Sequence, residues 1–158
     1  MHKIIGKPPF SPVLFYSGKI AGYTTWIALA LYMLGVRVNH YENPHFINAL
    51  GYFIAGFGLT ISVASLFSLG NSISLGIPDE KTELKTQGLY KLTRNPMYVG
   101  FNLLTISAAL LTANYWVSLL ALFSLIIYHF IILGEEAFLR ERFGDKYEAY
   151  CKNTRRYL

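Results

Sequence analysis

The chain has 158 residues, room for one domain, with 53% hydrophobic residues, 15% charged residues and a formal net charge of +5. A soluble domain carries about a quarter charged residues, so part of this chain is composed for lipid. The lysines and arginines punctuate apolar stretches and form no continuous basic face, which argues against nucleic acid, and the single Cys151 excludes an intramolecular disulfide and a cysteine-based zinc site.

The first stretch, "MHKIIGKPPFSP", does not read as a cleavable signal peptide, because Pro8, Pro9 and Pro12 interrupt any apolar run; it is expected to stay as an interfacial arm. Four apolar segments follow, at about 20–38, 46–69, 96–111 and 115–133, each long enough as a helix to cross about 30 Å of hydrocarbon. Only "TAN" joins the third to the fourth, so those two must form an antiparallel hairpin. Gly18, Gly22, Gly51, Ala55, Gly56 and Gly58 are spaced for close backbone packing in the first two spans. "GFG" is no nucleotide loop, since no strand pattern precedes it. The expected fold is therefore all-α: an integral-membrane helical bundle of about four transmembrane helices plus a C-terminal cytoplasmic helix, one domain over 1–158. Its orientation follows from charge. Lys3, Lys7, Lys19, Lys81, Lys85, Lys91, Arg94 and the six basic residues after 139 fall on one side of a four-span topology, and only Arg37 of the 14 falls on the other. The positive-inside rule puts both termini and the central loop in the cytoplasm.

At the start of the third span stands "LTRNPMYVG", residues 92–100. Pro96 suits the first turn of a helix and Asn95 can cap it. Arg94, just outside, adds a positive charge to a helix start that already attracts anions. The plainer reading is a cap with a positive-inside arginine, Tyr98 as an interfacial belt residue and Gly100 as a packing residue. Glu135 and Glu136 follow the fourth span. With the hairpin tip near Ala113, Arg94 lies 19 residues before it and Glu135 22 after it, so a rise of about 1.5 Å per residue brings them within about one turn of the same depth. A cation and two carboxylates at one helix mouth suit a ligand bearing both an ammonium and a carboxylate. The plainer alternative pairs Glu136 with Arg140 at i, i+4, worth tenths of a kcal/mol. His129, the intramembrane histidine, sits about a turn and a half deeper, either as a proton acceptor or as a packed imidazole.

Together, "GLYKLTRNPMYVG" and the "EEAFLRERFGDKYEAY" that follows about 35 residues later resemble the C-terminal signature of the isoprenylcysteine carboxyl methyltransferase and phospholipid methyltransferase families. The resemblance covers about 86–158 and includes Gly88, Tyr90, Arg94, Pro96, Tyr98, Gly100, Glu135, Glu136, Phe143, Gly144 and Tyr147. It implies a membrane bundle in two parts. Residues 1–72 would supply the arm and the first two spans, and 73–158 would enclose S-adenosylmethionine beside a lateral opening to lipid. Implied cofactor contacts are Gly88, Tyr90, Asn95, Pro96, Tyr98, Gly100, Glu135 and Glu136; implied catalytic positions are Arg94 and Asn95, to which the intramembrane position of His129 adds a third candidate. Asn95 stands where the eukaryotic isoprenylcysteine enzymes usually carry histidine. The implied acceptor is lipophilic or lipid-linked, in a bacterial-type inner or plasma membrane, with carboxylate O-methylation favoured over amine or small-thiol methylation.

Methyl transfer is an in-line displacement that positioning and a dry site can accelerate without metal or covalent nucleophile. A carboxylate acceptor needs no base; an amine or thiol must lose its proton nearby, where His129 could receive it. The C-terminal "AFLRERFGDKYEAYCKNTRRYL" reads as a basic interfacial helix anchored by Phe138, Phe143, Tyr147 and Tyr150, or as a cover over the cofactor, or both. A small transporter or adaptor is disfavoured because the first two spans carry no acid. Sterol reductases, which share a similar signature and bind a nicotinamide cofactor, are usually much larger.

Overall fold

The computed structural model describes residues 8–69 and 83–157. The expected arm before Pro8, and Lys81 of the central loop, lie outside them. Five α-helices make up the described chain. Helix α1, Pro12–Met33, starts with proline in its first turn, where the missing N–H is not needed, and stops where Gly35 takes φ +82°. It thus begins and ends earlier than the segment at 20–38: hydropathy finds the apolar stretch, whereas proline and glycine set the helix ends. Helix α2 is His45–Leu69, and a 3₁₀ turn, Gly88–Lys91, leads to α3, Pro96–Thr112.

The chain reverses at Ala113, in the left-handed region at φ 42°, and at Asn114, whose side-chain oxygen accepts hydrogen bonds from Trp116 N (2.9 Å) and Val117 N (3.4 Å). The expected hairpin is thereby formed. Asn43 secures its tip by donating to the otherwise unpaired carbonyls of Leu110 (2.8 Å) and Leu111 (3.1 Å). Helix α4, Tyr115–Phe143, continues ten residues past the apolar segment that ended at 133, carrying both glutamates on the helix itself. Gly144, at φ +51°, turns it into α5, Asp145–Asn153.

Helix α3 packs between α2 and α4, and α1 packs on α4 and α3. Of the glycines expected to pack, Gly58 meets α3 so closely that a Cβ there would lie 2.8 Å from Leu103 Cβ, whereas Gly56 faces open space. The core has two centres. Phe15, Tyr98, Ile127, Tyr128, Ile131 and Ile132 fill the open end of the hairpin, and Leu29, Ala55, Ala108, Leu111 and Val117 fill the tip end. Large apolar side chains also point outward along α1, α2 and α4, Phe53 being 70% exposed, a surface far more apolar than a soluble monomer shows. By length and apolarity, α2 and α4 are candidate membrane spans; α3 is apolar but shorter, at 17 residues.

Candidate active site

The segment preceding α3 and the segment following α5 lie side by side. Arg94 N donates to Arg155 O (2.8 Å), Thr93 Oγ1 to Arg156 O (2.8 Å), and Thr93 and Arg155 form an isolated parallel bridge. Tyr150 in α5 donates its hydroxyl to the Tyr90 carbonyl of the 3₁₀ turn (2.5 Å). The C-terminal segment is thus fastened across the start of α3, and the fastening converges on Glu136.

Glu136 is 2% exposed. Arg94 forks onto it, Nε to Oε1 at 3.1 Å and Nη2 to Oε2 at 3.2 Å; Arg156 reaches Oε2 with Nε at 3.1 Å and Nη2 at 2.9 Å; Asn95 Nδ2 adds 3.0 Å to Oε1. The third nitrogen of Arg94 donates to Thr154 O at 2.5 Å. A carboxylate this deeply buried needs such a donor set to remain charged. Burial works against the Arg94 cation, yet the bonds to Glu136 outweigh it and hold its pKa above the ordinary guanidinium value.

Three expectations are corrected here. Asn95 occupies the cap position of α3, but its side chain makes no capping bond; it is drawn instead to Glu136 and to Arg156 O (3.3 Å). Arg94 is no open anion site, because Glu136 and C-terminal carbonyls take its donors. The i, i+4 pair of Glu136 with Arg140 is not formed: Arg140 bonds Glu148 of α5.

Glu135 sits one residue earlier and so about 100° around the helix. It accepts the Tyr98 hydroxyl at 2.6 Å. Lys19 approaches from α1, 5% exposed, its ammonium 4.2 Å from the centre of the Phe15 ring and near enough to Glu135 for their charges to interact. Sequence reading took Lys19 only as a positive-inside marker. The missed signal was local: Lys19 lies between Gly18 and Gly22, which face α4 so tightly that added Cβ atoms would meet Ile127 and Tyr128. A lysine on that face points into the bundle.

Of the other expected positions, Pro96 and Tyr90 are buried beside this cluster, and burial raises the Tyr90 phenol. Burial likewise pushes Tyr150 up to about 12, so neither phenol provides a base near neutrality. Gly88 opens the 3₁₀ turn at φ +61°, against Ser68 of α2. Gly100 turns away from the glutamates toward α2, where a Cβ would lie 2.3 Å from Ser62 Oγ and 2.7 Å from Gly58 O. The structure accounts for Gly100 by packing. His129 bonds the Tyr157 hydroxyl through Nδ1 at 2.7 Å, which ties it to the C-terminal segment.

The chain matches the phospholipid methyltransferase family model over residues 46–146. It is 34% identical over 113 residues to the protein-S-isoprenylcysteine O-methyltransferase of Schizosaccharomyces pombe, a match covering 68% of this chain and 46% of that protein. A probable protein-S-isoprenylcysteine O-methyltransferase of Oryza sativa subsp. indica is 30% identical over 115 residues, 69% of this chain and 59% of the relative. The chain therefore spans about half the length of the curated relatives it matches.

Proposed function

The chain belongs to the phospholipid methyltransferase family, and from that premise we propose that it is an integral-membrane enzyme that transfers a methyl group from S-adenosylmethionine to a lipophilic acceptor, carboxylate O-methylation being favoured. The observation that carries the reading is the division of labour between adjacent glutamates. Glu136 is consumed in holding the C-terminal segment, while Glu135, with Tyr98 and Lys19, faces the bundle beside the start of α3.

This donor set fits the amino-acid portion of the cofactor: a carboxylate and a phenol for its ammonium, and a lysine with the helix start for its carboxylate. S-adenosylmethionine supplies an electrophilic methyl on a sulfonium. The chain's own residues bind and orient. Glu135 and Tyr98 would hold the ammonium and Lys19 would neutralise the carboxylate, while the Arg94, Glu136 and Arg156 clamp fastens residues 154–157 across the start of α3, where they would help to keep water from the bound cofactor. A carboxylate acceptor suits this site because it needs no base, and the His129 imidazole is engaged by Tyr157. All four apolar helices are read as crossing the bilayer, with the glutamates at the cytoplasmic mouth.

Calorimetric titration of the purified full chain in detergent tests the reading. S-adenosylmethionine and its demethylated product should both bind. Heat from NADPH, with none from either adenosyl compound, would overturn it.

A further inference from the structure

At the end of the bundle away from the glutamates lies a second polar feature that the proposed reaction does not use. A cavity of about 490 Å³ opens between α1, the connection from α1 to α2, and the first turn of α4. Helix α3 runs 17 residues between the two ends, so about 25 Å separates them. The cavity has two kinds of wall. Ile27, Leu31 and Leu120 form an apolar side continuous with the outward-facing helices, while Arg37, Asn39 and His40 form a polar rim.

The rim is built rather than incidental. Asn114, which caps α4, also donates to Val38 O at 2.6 Å and lies 3.4 Å from His40 Nε2, and the His40 ring packs 4.4 Å from that of Tyr115. These contacts fix the connecting chain against the hairpin tip. Arg37 is left over: none of the hydrogen bonds or ion pairs among the described residues involves it. It is also the only lysine or arginine between Lys19 and Lys81. The acid of the same connection, Glu42, does not line the cavity. The positive end of the α4 dipole opens toward the same space, and Trp116 on its wall is 68% exposed, as expected of an aromatic at the headgroup level.

We propose that this cavity is a binding site for an anionic phospholipid of the leaflet opposite the active site. Its phosphate sits against Arg37, with Asn39 and His40 beside it, and its first chain carbons lie along Ile27, Leu31 and Leu120. A soluble anion would satisfy Arg37 but leave the apolar wall uncovered, and a zwitterionic lipid would cover the wall but bring its quaternary ammonium beside Arg37 and the positive end of α4; the anionic amphiphile satisfies both walls without that repulsion. The site is not that of the methyl acceptor, which reacts at the other end.

The test is native mass spectrometry of the full chain released from detergent after incubation with dioleoyl phosphatidylglycerol, with the phosphatidylcholine of the same chains, or with inorganic phosphate. The wild-type chain should retain one phosphatidylglycerol, and phosphatidylcholine about ten-fold less. In Arg37→Ala, retention of phosphatidylglycerol should fall about ten-fold, the loss of one charge-assisted contact, with binding of S-adenosylmethionine unchanged. Equal retention by wild type and variant, or of both lipids by the wild type, would show an unspecific lipid shell and overturn the proposal. So would displacement of the phosphatidylglycerol by millimolar phosphate, which would show a simple anion site.

Discussion

Glu135 and Glu136 are neighbours in sequence with the same chemistry, yet a turn of about 100° between consecutive residues of α4 gives them different tasks. Glu136 is enclosed by two guanidinium groups and an amide; its side chain is 3% exposed, that of Arg94 11% and that of Arg156 35%. Removing a buried carboxylate leaves its partners unpaired, so Glu136→Ala should destabilise the protein by about 3–5 kcal/mol. Arg94→Ala should follow at a similar magnitude. Arg156→Ala, screened by solvent, should cost under about 1 kcal/mol. Thermal unfolding in detergent, together with the rate of proteolysis at residues 154–157, checks this ordering; equal effects from both arginines would show that burial does not govern the clamp. Glu135→Gln should behave differently. It should weaken S-adenosylmethionine binding by about 1.5–3 kcal/mol, the range for a charged hydrogen bond, with little change in the unfolding midpoint. A Glu135 variant with wild-type affinity and a Glu136 variant that is stable but cannot bind would reverse the assignment. That a cation and two acids meet near α3 was legible from residue counts along the hairpin. Which glutamate did what was not, because the deciding partners, Arg156 and Lys19, reach the site from segments that no local spacing connects to it.

At the level of elements, α2, α3 and the start of α4 begin within a residue of the expected segments, since a cap or a proline marks them: Pro96 for α3 and Asn114 for α4. Helix α4 runs on past its apolar segment because hydropathy falls at the glutamates while the backbone stays helical, their charges being met by tertiary partners. The docking of 93–95 on 154–157 joins residues about sixty apart through a main-chain bond from Arg94 N and side-chain donors of Thr93 and Asn95, all onto main-chain carbonyls, acceptors that carry no residue-type signature. Packing of α2 on α3 depends on Gly58 and Gly100, each within van der Waals reach of the other helix's backbone. A methyl at Gly100 would meet Gly58 O, a backbone atom that cannot rotate away. Gly100→Ala should therefore destabilise by about 1–3 kcal/mol through overpacking. Gly56→Ala, placed in open space on α2, should be neutral or slightly stabilising because it favours the helix. Unfolding midpoints of the two variants check the contrast. If Gly100→Ala kept full stability but lost S-adenosylmethionine binding, Gly100 would belong to the cofactor site after all.

For the whole molecule, the remaining matter is how the bundle sits in the bilayer. Two helices qualify as spans by their own length and apolarity. The case for four rests on how they are joined. Helix α3 is bound to α4 by a two-residue turn and to α2 along its length, and α1 packs on both α3 and α4, its outer face carrying exposed Ile20, Ile27 and Leu31. If α4 crosses, α3 can avoid crossing only by leaving that packing. In the proposed topology the positive-inside rule gives the direction: among the described residues, Arg37 is the one lysine or arginine at the tip end, while Lys85, Lys91, Arg94 and the six after 139 lie at the glutamate end. With a Cys151→Ser background, a cysteine at exposed Glu42 should react with a membrane-impermeant maleimide added outside intact cells, and a cysteine at exposed Lys146 should react only after permeabilisation. The two positions lie at opposite ends of α4. Labelling of both from outside would mean that the helices lie in the interface, and labelling of Lys146→Cys alone from outside would invert the protein. In either case the glutamate pair would no longer face the cytoplasmic pool of S-adenosylmethionine, so the topology measurement also bears on where the proposed reaction can draw its methyl group.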